Sequence, residues 1–393
     1  MSGVAELPLH DGHVPRWLLE YMERLALAIL RVLHELYDAR EIIRSFSDPL
    51  WFQAFNNVIG MDWDSSGSTT VVTAILKKIT WREDFDFIVL GGKGEHSKKT
   101  INEIPEAVRR FDLGEDSIER YTRISRIVAK IDSSLLQDGY TLYHHSLMIS
   151  RDGFWGVVQQ GMNVARKMAR RYHINQDTLE QDLLTDPHAG LASNTIENPL
   201  NLVDIESVNT RRVIDDIIRE RPSRIVALIR EVNRQLKGVA SLEQFARGVS
   251  GVVRAGRRSF TISYYKPVNI TRELIDKINE IQLINAQSLV EALEIRGFGA
   301  EHVRALTLVA DLIFNATPSN RDPVTHPMDP FIYSYAHGGK DGVPYRVRRD
   351  LLERTIITLE EAVERARIGD REKMRALERL ARYSKIFNID LSR

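Results

Sequence analysis

The chain has 393 residues, enough for two or three domains with a sizeable core, and its 54 basic residues are balanced by 54 acidic ones. Zero formal charge argues neither for nor against a polyanionic partner, while the absence of cysteine excludes disulfides, thiolate metal sites and a cysteine nucleophile. No apolar run approaches the roughly 18 residues that span a bilayer, and the N-terminus lacks a signal-peptide pattern, so a cytoplasmic protein with no membrane contact is expected.

Thirteen lysines leave 41 arginines among the basic residues. Genome composition or the ion-pair networks of a heat-adapted protein account for most of that excess, with planar, bidentate phosphate recognition as a local addition. Residues 1–15 read as irregular. Residues 17–43 then carry a long amphipathic helical stripe, including Leu18, Met22, Leu25, Ile29 and Leu33. Ser47-Asp48-Pro49 is a capping pattern that opens a short helix around Trp51 and Phe55. A loop dense in acids and hydroxyls, with Asp62 and Asp64, leads into a helix over 71–78.

Residues 85–90 read as a strand that ends at Gly91-Gly92-Lys93-Gly94. The full Gly-x-x-x-x-Gly-Lys-Ser/Thr spacing is absent, which rejects a Walker motif. A backbone nest for phosphate and a plain solvated basic loop both stay open. Helices over 104–110 and 117–131 bring the chain to a dense polar patch of Asp132, Gln137, Asp138, Tyr140, Tyr143, His144 and His145. Strands over 141–150 and 154–161, turned at Arg151-Asp152-Gly153, form a hairpin. Alternation places His144 and His145 on opposite faces, so at most one enters a given site. Gln159, Gln160 and Asn163 lie at the hairpin's exit, and Arg170, Arg171, Tyr172 and His173 follow on a stretch read as helical. Acid, amide and imidazole groups at strand ends fit a metal or phosphodiester site, and equally fit satisfaction of buried backbone groups.

A Pro-, Gly- and Asn-rich loop over 186–199 marks the expected domain boundary, after which helices dominate over 203–220, 224–236 and 243–253. A short extended stretch over 261–265 follows a basic cluster of Arg254, Arg257 and Arg258. Two amphipathic helices then flank Gly297-Phe298-Gly299, with Arg296, His302 and Arg304 around the turn. Beyond lie a Pro-rich loop with Asp322, a second glycine-rich loop with Lys340, and two polar helices broken at 368–370. The expected class is α+β. A mixed domain over 1–195 with a small, mainly antiparallel sheet precedes a mainly helical domain over 196–345, whose helix-hairpin-helix spans 283–315. The helices of 346–393 would pack on the rest.

Leu293-Glu294-Ile295-Arg296-Gly297-Phe298-Gly299-Ala300-Glu301-His302-Val303 resembles the helix-hairpin-helix motif. That resemblance implies a non-specific grip on a DNA backbone, with Gly297, Gly299, His302 and Arg304 as contacts and Lys93, Arg170 and Arg171 as further basic ones. A plain helix stop with Gly297 past the helix end is the competing reading. Several longer motifs, among them Leu7-Pro8-Leu9-His10, Gln137-Asp138-Gly139-Tyr140, Tyr143-His144-His145, Val158-Gln159-Gln160-Gly161-Met162-Asn163 and His337-Gly338-Gly339-Lys340-Asp341-Gly342, resemble the family catalogued as domain of unknown function 763 over nearly the whole chain. That label carries no activity.

A second, local resemblance covers only the hairpin and the acid beyond it. Helix-hairpin-helix DNA glycosylases place a catalytic Asp about twenty residues past the hairpin glycines, and Asp322 follows Gly299 by 23. The resemblance implies that Asp322 activates the nucleophile and stabilises a developing sugar cation. Variants that also cleave the strand carry a lysine where Glu301 stands, so lyase chemistry would need Lys340 or Lys93 as the amine.

Three functions follow. The leading expectation is a DNA-repair enzyme of glycosylase or lyase type without a cofactor. Its catalytic candidates are Asp322, Lys340, Asp138 and His145, and its base pocket is Gln137, Tyr140, Gln159, Gln160 and Asn163. The alternative is a nuclease holding Mg²⁺ or Mn²⁺ on Asp62, Asp64, Asp132, Asp138 and His144. The third is a non-catalytic nucleic-acid-binding protein. The oligomeric state is not legible from the sequence.

Overall fold

The computed structural model describes residues 16–60, 66–179, 183–193, 195–247, 264–327, 357–359, 361–366 and 369–386. An N-terminal mixed α/β region with antiparallel sheets is followed by a mainly helical region. The opening helical stripe is interrupted: α1 (Arg16–Leu36) stops, and Asp38 caps α2 (Ala39–Phe46) by accepting the Glu41 N–H at 2.7 Å. Asp48 caps α3 (Pro49–Ile59) in the same way, and Gly60, at φ 106°, ends it in the left-handed region. α4 (Ser66–Arg82) is longer than its apolar stripe suggests: its first turns are polar, and the hydroxyls of Thr70 and Thr73 bond carbonyls there.

The main sheet contains β1 (Phe87–Lys93), β3 (Thr141–Ser150), β4 (Trp155–Asn163), β5 (Met168–Asn175), β6 (Gly190–Ser193) and β8 (His326–Pro327) in that order. Every neighbouring pair is antiparallel except β6 and β8. β2 (Leu136–Gln137) pairs separately with β7 (Leu200–Asn201). β5 corrects the helical reading of Arg170 to His173. A turn with Lys167 at φ 56° reverses the chain after β4, and the next residues alternate between two buried faces, a period-2 pattern that polar side chains hid.

Each face of the sheet has its own helical cover. On the first face, Phe87, Val89, Met148 and Val158 pack with α1–α4, residues 357–359 and 361–366, and α13 (Asp370–Ile386). On the second, Ile88, Leu90, Leu147, Ile149 and Val157 pack with α5 (Glu95–Phe111) and α6 (Asp116–Lys130). The same core takes in Leu179 of α7 (Gln176–Leu179) and runs on to α8 (Val208–Ile218), α9 (Pro222–Arg247), α10 (Arg272–Leu283), α11 (Leu289–Glu294) and α12 (Ala300–Phe314). The loop that leads into β6 carries His188, and α6 ends in a π turn (Ile131–Leu135) that carries Asp132 and Ser134. Single π turns are a common device for re-aiming side chains. Among the described residues no helix is long and apolar enough to cross a membrane.

Candidate functional site

One end of the sheet is polar on both faces, and register explains how. Lys93, His144, Gln160 and Arg171 are directly opposed across β1, β3, β4 and β5, so they form a row on the first face. One residue along, Gly92, His145, Gln159 and Tyr172 form a row on the second. Adjacent sequence neighbours are thus sorted into two different sites.

On the first face, His144 Nε2 lies 3.1 Å from Thr73 Oγ1 of α4. Burial, with the charges of His145 and Lys93, lowers its pKa to about 3, so the ring is neutral at physiological pH. Arg171 donates to Thr69 Oγ1 at 3.4 Å and Gln53 Oε1 at 3.2 Å, and its guanidinium lies 4.6 Å from the Phe52 ring centre. Gln160 donates to the Tyr143 hydroxyl.

On the second face, Arg170 is fully buried between two acids. Its Nη1 donates to Asp138 Oδ2 and Asp322 Oδ1, both at 3.1 Å. Its Nη2 donates to Asp322 Oδ2 at 2.5 Å and Thr195 O at 2.9 Å, and its Nε donates to Ser193 Oγ at 3.1 Å. All five donors of the guanidinium fork are engaged. Asp138 also accepts from Tyr172 Oη at 2.7 Å and from the Tyr140 N–H at 3.0 Å. Burial pushes the Asp138 carboxyl up to about 6 against the pull of Arg170 and Tyr172. Against burial, the two carboxylates hold Arg170 above its ordinary value. Two acids around one arginine leave one negative charge in excess, which favours a proton on Asp138.

Beside this triad runs a second chain of bonds. Asp132 Oδ1 lies 2.6 Å from His188 Nε2, and Asp132 Oδ2 accepts from Gln159 Nε2 at 2.5 Å. Gln159 Oε1 lies 2.8 Å from His145 Nδ1, and His145 Nε2 lies 2.9 Å from Ser125 Oγ on α6.

The structure therefore brings Asp138, Arg170, Tyr140 and Asp322 together, and brings Asp132, His145 and Gln159 together beside them. It does not gather the expected base-pocket residues. Gln137 donates to Ser134 O and Ala300 O, tying the π turn to α12, while Gln159 and Gln160 lie on opposite faces of the sheet. Asn163 accepts the Arg166 N–H at a β-turn. At the 297–299 turn, Gly297 is exposed at φ 87° and Phe298 is buried. His302 and Arg304 face inward rather than around the turn. His302 Nδ1 accepts the Gly299 N–H at 3.2 Å, and Arg304 Nη1 donates to Tyr264 O and Lys266 O at 3.2 and 2.7 Å. Lys130 donates to Phe298 O. Asp62, Asp64 and Lys340 lie outside the described residues. Among the described residues no group of three His, Cys, Asp or Glu side chains is placed to hold a metal ion.

Sequence reasoning missed Ser125, His188 and Thr73. The signal for Ser125 was available: it falls four residues after Tyr121 and three before Val128, on the inward stripe of α6. His188 sits in a loop whose approach to Asp132 depends on the fold.

A family model described as Protein of unknown function (DUF763) matches residues 3–347. No curated protein and no solved structure matches the chain, so the local likeness to DNA glycosylases gains no support from these comparisons.

Proposed function

Because the chain belongs to the DUF763 family, whose description names no reaction, we propose a function from geometry: binding of DNA along its sugar–phosphate backbone at the turn between α11 and α12. The observation that carries this reading is the exposed Gly297 at φ 87°, which leads the chain into the start of α12. The first-turn amides of Ala300 and Glu301 have no carbonyl one turn earlier to bond, and the positive end of the helix dipole favours an anion there. The exposed Arg296 adds positive charge beside the turn, and Lys277, whose Cε would lie 3.1 Å from a side chain at Gly297, stands next to it with its ammonium on Glu280 Oε2 at 2.7 Å.

A binding role fits the polar clusters better than base excision does. Asp322 spends both oxygens on Arg170 and accepts the Glu197 N–H at 2.5 Å, with its side chain 2% exposed. A carboxylate so engaged is held to bridge the Pro-rich loop to β5 rather than to meet a sugar cation. The amides expected to read a base are likewise bonded to protein.

Fluorescence anisotropy with labelled duplex and single-stranded oligonucleotides tests the reading. Binding is expected with a dissociation constant on the order of 10⁻⁴–10⁻⁶ M, weakening as salt rises by a log–log slope of about −0.9 per phosphate contacted on duplex DNA. Gly297→Val, which places a β-branched side chain at positive φ against Lys277, should weaken binding by about tenfold or more. Binding without salt dependence, or a folded Gly297→Val protein that binds like the wild type, would refute the proposal.

A further inference from the structure

A cavity of about 230 Å³ lies between α5, α6 and β3, and Ser125, His145 and Gln159 are on its wall. Ser125 Oγ and His145 Nε2 are 2.9 Å apart. The position of the proton is fixed from the far end of the bond chain. Val128 O can only accept, so the Gln159 atom 3.2 Å from it must be the amide nitrogen, which also reaches Asp132 Oδ2 at 2.5 Å. The Gln159 carbonyl oxygen therefore faces His145 Nδ1 at 2.8 Å, and only a protonated Nδ1 completes that bond. Burial holds the His145 pKa below the ordinary histidine value, so the ring is neutral at physiological pH. Nε2 is then a bare lone pair, and the Ser125 hydroxyl is its donor.

A hydroxyl, a base within reach of it, and a third group that orients the base are the parts of an activated nucleophile. We propose that Ser125 and His145 form a catalytic dyad for acyl transfer from a small carboxylic ester, with Gln159 and Asp132 as positioning residues. This goes beyond the DNA-binding reading and does not depend on it. Ile101, Ala129 and Leu142 make the wall largely apolar, which suits a short alkyl acyl group. Lys98, whose Nζ also donates to Glu95 Oε1 at 3.3 Å, and Arg126 line the same cavity, and in this scheme they stabilise the carbonyl oxygen as it becomes negative.

The step balances without an oxidant or a further co-reactant. Ser125 Oγ bonds to the ester carbonyl carbon as its proton passes to His145 Nε2. Collapse of the tetrahedral adduct breaks the bond to the alkoxy oxygen, which leaves as the alcohol with the proton from Nε2. Water then attacks acyl-Ser125, giving a proton to Nε2. The carboxylic acid departs as that proton returns to Ser125 Oγ.

The test uses the full chain, a fluorophosphonate probe, and p-nitrophenyl butyrate as substrate. Mass spectrometry should find a single phosphonyl adduct on Ser125 of the wild type, and mixing with substrate should release a burst of about one p-nitrophenolate per chain. Ser125→Ala and His145→Gln should each lose about 100-fold or more in turnover. Gln159→Leu should lower kcat by about tenfold when turnover is normalised to the active sites counted by the burst, a normalisation that removes any loss of folded protein. No adduct on the wild type, an adduct on another serine, or wild-type turnover by Ser125→Ala would overturn the dyad. Adduct mapping needs no variant, so it decides the matter even if Ser125→Ala fails to fold.

Discussion

The buried acids around Arg170 make the clearest statement about single residues. Removing one partner of a buried ion pair strands the other charge, whereas a complete triad is tolerated. The triad also responds to pH. The Asp138 carboxyl ionises near 3.8 in an ordinary setting and near 6 in the folded protein, so between those values the folded state binds one more proton than the unfolded chain. The stability tied to that proton is fully present below 3.8 and is lost as the pH rises through 6. From about pH 4 to about pH 7, wild-type stability should therefore fall by roughly 1–3 kcal/mol relative to Asp138→Asn, measured by urea unfolding. The substitution also disturbs the bonds to Arg170 and Tyr172, which shifts the whole curve, so the difference in slope is the readout. Parallel curves would show that Asp138 holds no such proton. Residue types alone mark Asp138, Arg170 and Asp322 as unusual in the sequence. Their meeting was not legible there, because it depends on the bend after β2 reaching β5 for the first two and on a loop returning from far along the chain for the third.

Among the elements, the hairpin of β3 and β4 was the easiest to read, since alternation and an Arg-Asp-Gly turn set both its period and its reversal. β5 defeated the same reasoning because its inward positions hold Arg170 and Arg171, polar residues that no hydrophobic pattern reveals. The glycines after residue 90 were read as a loop, yet the strand continues through Lys93. Gly91 sits at φ 83°, its N–H donates to Glu103 Oε2 at 2.8 Å, and its carbonyl accepts from Lys77 Nζ at 2.9 Å. A side chain there would run into His145 O and Thr100 Oγ1, well inside van der Waals contact. That position fixes how closely α5 approaches β3, and with it the width of the cavity beside Ser125. Gly91→Ala should cost roughly 2–5 kcal/mol of stability through backbone strain and overpacking. Gly114→Ala, at φ 80° with nothing within 4 Å, should cost only roughly 1–2 kcal/mol. Equal losses for the two variants in thermal or urea unfolding would remove the close-approach explanation.

At the scale of the whole molecule, consecutive residues of single strands feed two separate cores. On β1, Ile88 and Leu90 belong to the second-face core, and Phe87 and Val89 to the first. Loss of either helical layer would expose one whole apolar face of the sheet, a penalty of roughly 1.5–3 kcal/mol for each large side chain uncovered. The second-face core also continues from the sheet into α8–α12, across the loop that reads as a boundary in the sequence. Composition marked that loop by its Pro, Gly and Asn content, but composition carries no information about which apolar faces meet. Such sharing predicts that the layers unfold together. Trp51 lies in the first-face core, and Trp155 with the partly buried Trp81 packs in the second, so Trp51→Phe keeps reporters in the second layer and the double variant Trp81→Phe/Trp155→Phe keeps one in the first. Their urea transitions, followed by fluorescence and by far-ultraviolet circular dichroism, should share one midpoint after correction for the substitution's own cost. Two resolved transitions would mean that one helical layer can leave while the sheet stays folded. The polar rows at its end would then be held by one face alone.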